Sequence, residues 1–186
     1  MSQLTKNSII ESFTILLNKH PLDRITVTDI AKQCGISRRT FYNYYQDIYQ
    51  LPEELLYTEF QNISAYQTEF GTWQTWFEKM AEFAFQNKST MLHLYHSSRR
   101  DYLEHQVFNI AVSTITDYIK RIPENTICCQ EDIRILASFY TNAIVGMAIE
   151  WIRSGMQENP EKTVKKMACL LEGAIKCALA NCAKVH

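Results

Sequence analysis

An all-α protein is predicted by three observations. The 186 residues include only 5 Gly and 4 Pro, and these sit mostly between long stretches with apolar residues at helical spacing. Nothing in the chain is repeated, low in complexity or long and charged. Residues 26–45, TVTDIAKQCGISRRTFYNYY, read as two short helices around a tight turn. The expected architecture is about nine helices. It comprises an N-terminal three-helix helix-turn-helix domain over 1–47 (motif 26–45), a connecting helix over 48–70 and a C-terminal helical ligand-binding and dimerisation domain over 71–186.

Each element has a local reason. The first helix runs from about residue 4 to 19, where Ile9, Ile10, Phe13, Leu16 and Leu17 form one apolar stripe, and His20-Pro21 ends it. Thr28 is the expected cap of the second helix, whose inward face is Ile30, Ala31 and Cys34. Ala31 is small where two helices would cross, and Gly35 supplies a left-handed ending without a Cβ clash. Ile36 plugs the turn, Ser37 caps the third helix, and Phe41 and Tyr45, four apart, face inward. Asp47 caps a fourth helix reaching about Phe70, with an irregular start because Pro52 stands in its first turns. Gly71-Thr72 breaks the pattern before Trp73, Trp76, Phe77, Met80, Phe83 and Ala84 recur at helical spacing. A short helix over about 90–95, a longer one over 101–121 stopped by Pro123, and two long ones over 130–154 and 161–182 complete the series.

The third helix leaves Arg38, Arg39, Thr40, Tyr42, Asn43 and Tyr44 on or near its open side. A recognition helix in the major groove needs donors at its start and along one face, and Arg38, Arg39 and Asn43 provide them. Arginine bonds guanine, and asparagine adenine, in bidentate fashion, each good pair discriminating by roughly 1–3 kcal/mol. Tyr42, Tyr44 and the hydroxyls of Thr28 and Thr40 suit phosphates. The bland reading is a pair of short surface helices with solvated arginines.

On these residues, T-V-T-D-I-A…C-G-I-S-x-x-T-F-Y-x-Y-Y, the first fifty or so positions resemble the N-terminal domain of the TetR family of bacterial transcription regulators. The resemblance implies that 28–34 is the supporting helix and 38–44 the recognition helix, with Tyr42 and Tyr44 on phosphates. It also implies a phosphate-binding lysine at the start of the next helix, where this chain has Ile48. Residues 139–162, with G-x-x-x-x-W-x-x-x-G-M from Gly146 to Met156, resemble a C-terminal ligand-domain subtype of the family that includes the activator of dihydroxyacetone kinase operons. That subtype leaves open regulation by a protein partner.

Net charge is −1, which argues against a general nucleic-acid-coating protein. The first 45 residues carry six Lys/Arg against three acids, net +3, and the remainder is −4. Binding that relies on so modest a charge needs a dimer and weakens steeply with salt. No run of about 18 apolar residues and no signal-peptide core occurs, so a cytoplasmic location without membrane contact is expected. The six cysteines lack C-x-x-C pairing and read as small buried hydrophobes, a thiol sensor at Cys128 and Cys129 being the alternative. His93, His96 and His105 have no acidic or cysteine ligand in a recognisable pattern beside them, so neither metal nor cofactor is expected.

The central aromatics suit an apolar pocket, and Trp76, Phe77, Tyr95, His96, Tyr102, Phe108, Phe139 and Tyr140 are its candidate lining, with ordinary core as the competing reading. In the last two long helices, small residues let backbones approach. Ile144, Met147, Trp151, Leu170, Leu171 and Ala174 are the candidate dimer face. Two copies would set two recognition helices about 34 Å apart on a palindromic double-stranded operator. An enzyme is not expected: paired E-x-x-H motifs, a Gly-rich phosphate loop and G-x-S-x-G are all missing. The sequence therefore points to a dimeric, sequence-specific transcriptional repressor controlled by a small-molecule or protein effector. The alternative is a helical adaptor acting chiefly through a protein partner.

Overall fold

The computed structural model describes residues 2–65, 73–122, 129–171 and 173–182, except for the side chains of Phe60, Ser64, Ala65, Trp73, Gln74, Tyr102, Leu103 and Ala168. Among these residues the chain is all helical. The helices are α1 (Gln3–Leu17), α2 (Val27–Cys34), α3 (Arg38–Tyr42), α4 (Gln50–Ala65), α5 (Trp73–Gln86), α6 (Lys88–Tyr95), α7 (Arg100–Arg121), α8 (Gln130–Arg153), α9 (Pro160–Leu170) and α10 (Ala174–Cys182). A 3-10 turn, Leu22–Arg24, joins α1 to α2.

Among the described residues ten α-helices stand where about nine were expected, because the last long helix is split. Gly173 adopts φ +73°, a left-handed conformation that ends a helix and costs glycine nothing in Cβ contacts. At the start of α4, the Asp47 carboxylate accepts the Tyr49 N–H at 2.7 Å. The helix begins at Gln50, so Pro52 falls in the first turn, where a missing N–H removes no intrahelical bond. The expected far end near Phe70 lies outside the described residues.

Two apolar clusters hold the helices together. The larger joins Ile9, Phe13 and Leu17 of α1 and Ile30 and Phe41 of the following helices to Leu51, Trp76, Met91, Leu94, Ala111 and Met156, so it runs unbroken from the N-terminal helices into the C-terminal region. The smaller packs Ile115 and Ile119 of α7 on Ile133, Ala137 and Ile144 of α8 and Ile175 and Leu179 of α10. By length and composition α8 could cross a bilayer. One face packs into the bundle, while Ile135 (54% exposed), Phe139 (67%) and Met147 (46%) lie on its surface.

The cysteines depart from the buried expectation. Cys129, Cys169 and Cys177 are exposed, and Cys34 and Cys182 are half-buried. Cys129 stands at the N-cap of α8, where its sulfur accepts the Asp132 N–H at 3.4 Å. Burial of cysteine is a tendency of the residue type and does not decide which helix end or face is covered. Cys128 and Pro123 lie outside the described residues.

Candidate nucleic-acid interface and effector cavity

The cap of α2 is Thr26, not Thr28. Thr26 Oγ1 accepts the Asp29 N–H at 3.2 Å, and the Asp29 carboxylate takes the Thr26 N–H at 3.0 Å and hydroxyl at 2.6 Å. This reciprocal box satisfies two otherwise orphaned donors, which Thr28 could not do without an acid three residues on. These bonds from the Thr26 hydroxyl, then its backbone N–H, hold the Asp29 carboxyl below its ordinary range. Thr28 lies exposed one residue inside the helix.

The turn to α3 closes at Gly35, with φ +72° and ψ +27°. Its N–H bonds Lys32 O at 3.3 Å, and the Ile36 N–H bonds Ala31 O at 2.9 Å. Ser37 then caps α3 by accepting the Thr40 N–H at 3.0 Å. Phe41 is fully buried and Tyr45 nearly so, which turns the opposite face outward. Burial first, and the neighbouring Glu54 second, push the Tyr45 phenol far above its ordinary pKa, so it stays neutral.

Arg38, Arg39, Tyr42 and Asn43 are exposed together on that outward face. The regular helix stops at Tyr42, earlier than residue 44. Asn43 still follows the spiral as its cap, its N–H bonded to Arg39 O at 3.2 Å. Thr40 is half-buried, with its hydroxyl 2.9 Å from that of Ser37. Tyr44 is half-buried, and its oxygen accepts the Ser2 N–H at 3.2 Å, leaving its own proton to donate. Ile48 packs against the larger core, so the hydrocarbon serves the fold at the position where a lysine was anticipated.

A set of polar contacts fastens this unit to α6. The Ser89 hydroxyl donates to Asn18 O at 2.9 Å and the Thr90 hydroxyl to Asn18 Oδ1 at 2.8 Å. His93 Nδ1 lies 2.6 Å from Leu17 O, so that nitrogen carries the proton. Beyond α6, the N–H and hydroxyl of Ser98 both donate to the Asp23 carboxylate at 2.9 Å, and the Arg99 guanidinium sits 4.6 Å from the Tyr49 ring centre. At the other end of α6, Lys88 Nζ donates to Met156 O at 2.9 Å in the turn between α8 and α9. Short serine, threonine and asparagine side chains carry no periodic signal, so this clasp was invisible in the sequence.

That turn borders a cavity of about 600 Å³ between α5, α8 and α9, with contributions from α4, α6 and α7. Trp76 and Phe77 line it, together with Met80, Val107, Val164 and Met167. Five other candidates lie elsewhere. Tyr95 is buried under the Arg100 guanidinium, His96 is exposed, Phe108 is half-buried off the lining, and Phe139 is on the surface. Tyr140 packs against the smaller core, and the side chain of Tyr102 lies outside the described residues. Period alone put all of them on helices, whereas much of the lining beside Trp76 and Phe77 is methionine, valine and alanine, whose sequence signal is that of any core residue.

The candidate dimer residues divide as well. Met147 and Leu170 are exposed. Ile144 is buried within the subunit, and Leu171 packs half-buried against the smaller core. Ala174 is half-buried at the start of α10. Trp151 is half-buried, stacks on Phe85 and donates its indole N–H to Glu158 O at 3.0 Å. It also lines the cavity, as does Ile144.

Residues 9–55 match the description "Bacterial regulatory proteins, tetR family", and residues 71–173 match "Transcriptional regulator C-terminal region". The chain belongs to the TetR family of bacterial transcriptional regulators. This regulator is similar in fold to the dihydroxyacetone kinase operon activator DhaS, with a TM-score of 0.72 at 21% identity over 95% of this chain and 98% of that one. A TetR-family regulator from Streptomyces coelicolor gives a TM-score of 0.61 at 15% identity over 100% and 85%. The TetR-family repressor AlkX from Dietzia sp. strain DQ12-45-1b gives 0.59 at 14% identity over 92% and 98%. No curated protein sequence matches significantly.

Proposed function

We propose that this TetR-family DNA-binding regulator is a homodimeric repressor that reads a palindromic operator through α3 and releases it when an effector fills the C-terminal cavity. Residues 1–47 read DNA, 48–70 link, and 71–186 bind the effector and pair the subunits. The observation that carries the reading is the capped α2–Gly35–α3 unit, with Arg38, Arg39 and Asn43 exposed side by side on a rigid base. Arg38, Arg39 and Asn43 read base edges, while Thr28, Thr40, Tyr42 and Tyr44 hold phosphates.

Control follows from connectivity. The cavity borders the turn holding Met156, Lys88 ties that turn to α6, and α6 grips the end of α1 through Asn18 and Leu17. Alongside α4, α6 is thus a second route from effector site to recognition helix. An effector shifts the balance between DNA-competent and released forms only by its differential affinity, and moving from 1:99 to 99:1 takes about 5.5 kcal/mol.

Fluorescence anisotropy on the DNA flanking the protein's own gene, beside scrambled DNA at low and near-physiological salt, tests the reading. Saturable, salt-sensitive preference for the native fragment, lost in Arg39→Ala, is the expected result. Equal binding to both fragments would remove the sequence-specific reading and favour an adaptor working through a protein partner.

A further inference from the structure

We propose that Lys6 is a further phosphate contact of this regulator and that Glu54 is its positioning residue, holding the ammonium in the free chain and passing to the Tyr45 hydroxyl when DNA takes Lys6. The proposal rests on the DNA-binding reading above and adds a contact outside α3.

Lys6 stands beside the reading surface. The Ser2 N–H donates to the Tyr44 hydroxyl oxygen, and the Lys6 N–H bonds Ser2 O at 3.3 Å, so the first turn of α1 abuts the flank of the motif. From there the Lys6 side chain reaches across the end of the motif. Its Nζ lies 5.8 Å from the centre of the Tyr45 ring and 2.8 Å from Glu54 Oε1 on α4. Both charged side chains are partly exposed, so the pair is open to an approaching phosphate.

The Tyr45 hydroxyl is the unusual member of the group. It is buried and has no hydrogen-bond partner among the described residues, a state that costs free energy. After burial itself, the nearby Glu54 carboxylate is the second cause that keeps the phenol protonated. A donor without an acceptor therefore sits beside a carboxylate that is engaged elsewhere.

That arrangement makes an exchange of partners favourable when DNA arrives. A phosphate at Lys6 replaces Glu54 as the counter-charge and repels the carboxylate. Glu54 then needs a donor, and the Tyr45 phenol supplies a charge-assisted hydrogen bond while ending its own unpaired state. The phenol stays protonated throughout, so no proton changes hands. The exchange is also joined to the effector cavity, because Leu56, two residues beyond Glu54 and nearly opposite it on α4, lines that space.

Fluorescence anisotropy on the flanking duplex and on scrambled DNA, across a salt series, tests the exchange. It is run on the full chain, Lys6→Met, Tyr45→Phe, Glu54→Gln and the double variant Tyr45→Phe/Glu54→Gln, with urea unfolding of each. Lys6→Met should lower the slope of log K against log salt by about 0.9 per subunit on both duplexes. Tyr45→Phe should be at least as stable as wild type, since phenylalanine fills the site without an orphaned hydroxyl, yet bind roughly three- to tenfold more weakly. Glu54→Gln frees Lys6 and keeps an acceptor for the phenol, so it should bind more tightly, and the double variant should bind as Glu54→Gln does. An unchanged slope in Lys6→Met removes the phosphate contact. A Tyr45→Phe chain that unfolds more readily shows the phenol already bonded in the free protein and overturns the exchange. So does an equal loss from Tyr45→Phe with or without Glu54→Gln, the mark of a merely structural role. Because Lys6 meets the backbone, the variants can be compared on either duplex. Equal binding of wild type to both duplexes removes the operator reading and leaves this test intact, whereas binding to neither refutes both.

Discussion

Replacing Gly35 isolates the backbone geometry that sets α3 against α2. At φ +72° an L-residue meets its own carbonyl, at a cost of roughly 1–2 kcal/mol. Alanine also restricts the unfolded chain, which returns about 0.4–1 kcal/mol. No heavy atom lies within 4 Å of the added Cβ, so no packing clash is added, and the net loss for Gly35→Ala is about 1 kcal/mol. Asparagine tolerates the left-handed region and should lose less, whereas valine, branched at Cβ, should lose more. Urea unfolding followed by circular dichroism gives the order Gly, Asn, Ala, Val. The strain has a second exit, since flipping the turn gives up the Ile36 bond to Ala31 O, a net loss of similar size. The two responses are close in energy, so α3 should tilt in part of the population. A chain of ordinary stability stays almost wholly folded after losing about 1 kcal/mol, and a larger loss in operator affinity would then report the tilt. Alanine as stable as glycine, or asparagine no better than alanine, would refute the argument from φ.

Alanine at Arg39 or Asn43 should relax specificity at one position of each half-site by about 1–3 kcal/mol, whereas Tyr42→Phe should weaken all sites nearly alike. Binding to a panel of single-base operator variants separates these, and equal losses on every sequence would remove the base-reading roles. A double-mutant cycle on Asp23→Ala and Ser98→Ala should show a coupling of about 0.5–1.5 kcal/mol in unfolding. Zero coupling would mean the clasp at 2.9 Å is idle in solution. The pKa of Asp29 is lowered on folding from the ordinary 3.8, so its contribution is complete above that value and disappears as pH falls through the folded one. Stability of wild type relative to Asp29→Asn should therefore be constant from neutral pH to about 5 and shrink in the acid range. A difference that holds through acid unfolding would contradict this.

The N-terminal unit was legible in the sequence because its determinants act over a few residues. Gly35, Ser37, Phe41 and Tyr45 each do locally what their type and spacing imply. Even the misplaced cap had a readable sign, since Asp29 stands three residues after Thr26 and one after Thr28. The cavity was less legible: Trp76 and Phe139 carry the same helical signal, yet one lines the space and the other lies on the surface. Periodicity fixes a residue's position around its own helix but not which neighbour that face meets.

The sequence by itself determined an all-helical chain, the caps and left-handed turn of the motif, and the chemistry on the outer face of α3, because each depends on backbone preference and near neighbours. Tertiary structure alone decided that Ile48 belongs to the core, that Asn18 meets α6 and Asp23 the turn after it, and that the cavity opens between α8 and α9. Those outcomes depend on the packing of helices far apart in the chain, and the free energy of such packing is not a sum of local preferences.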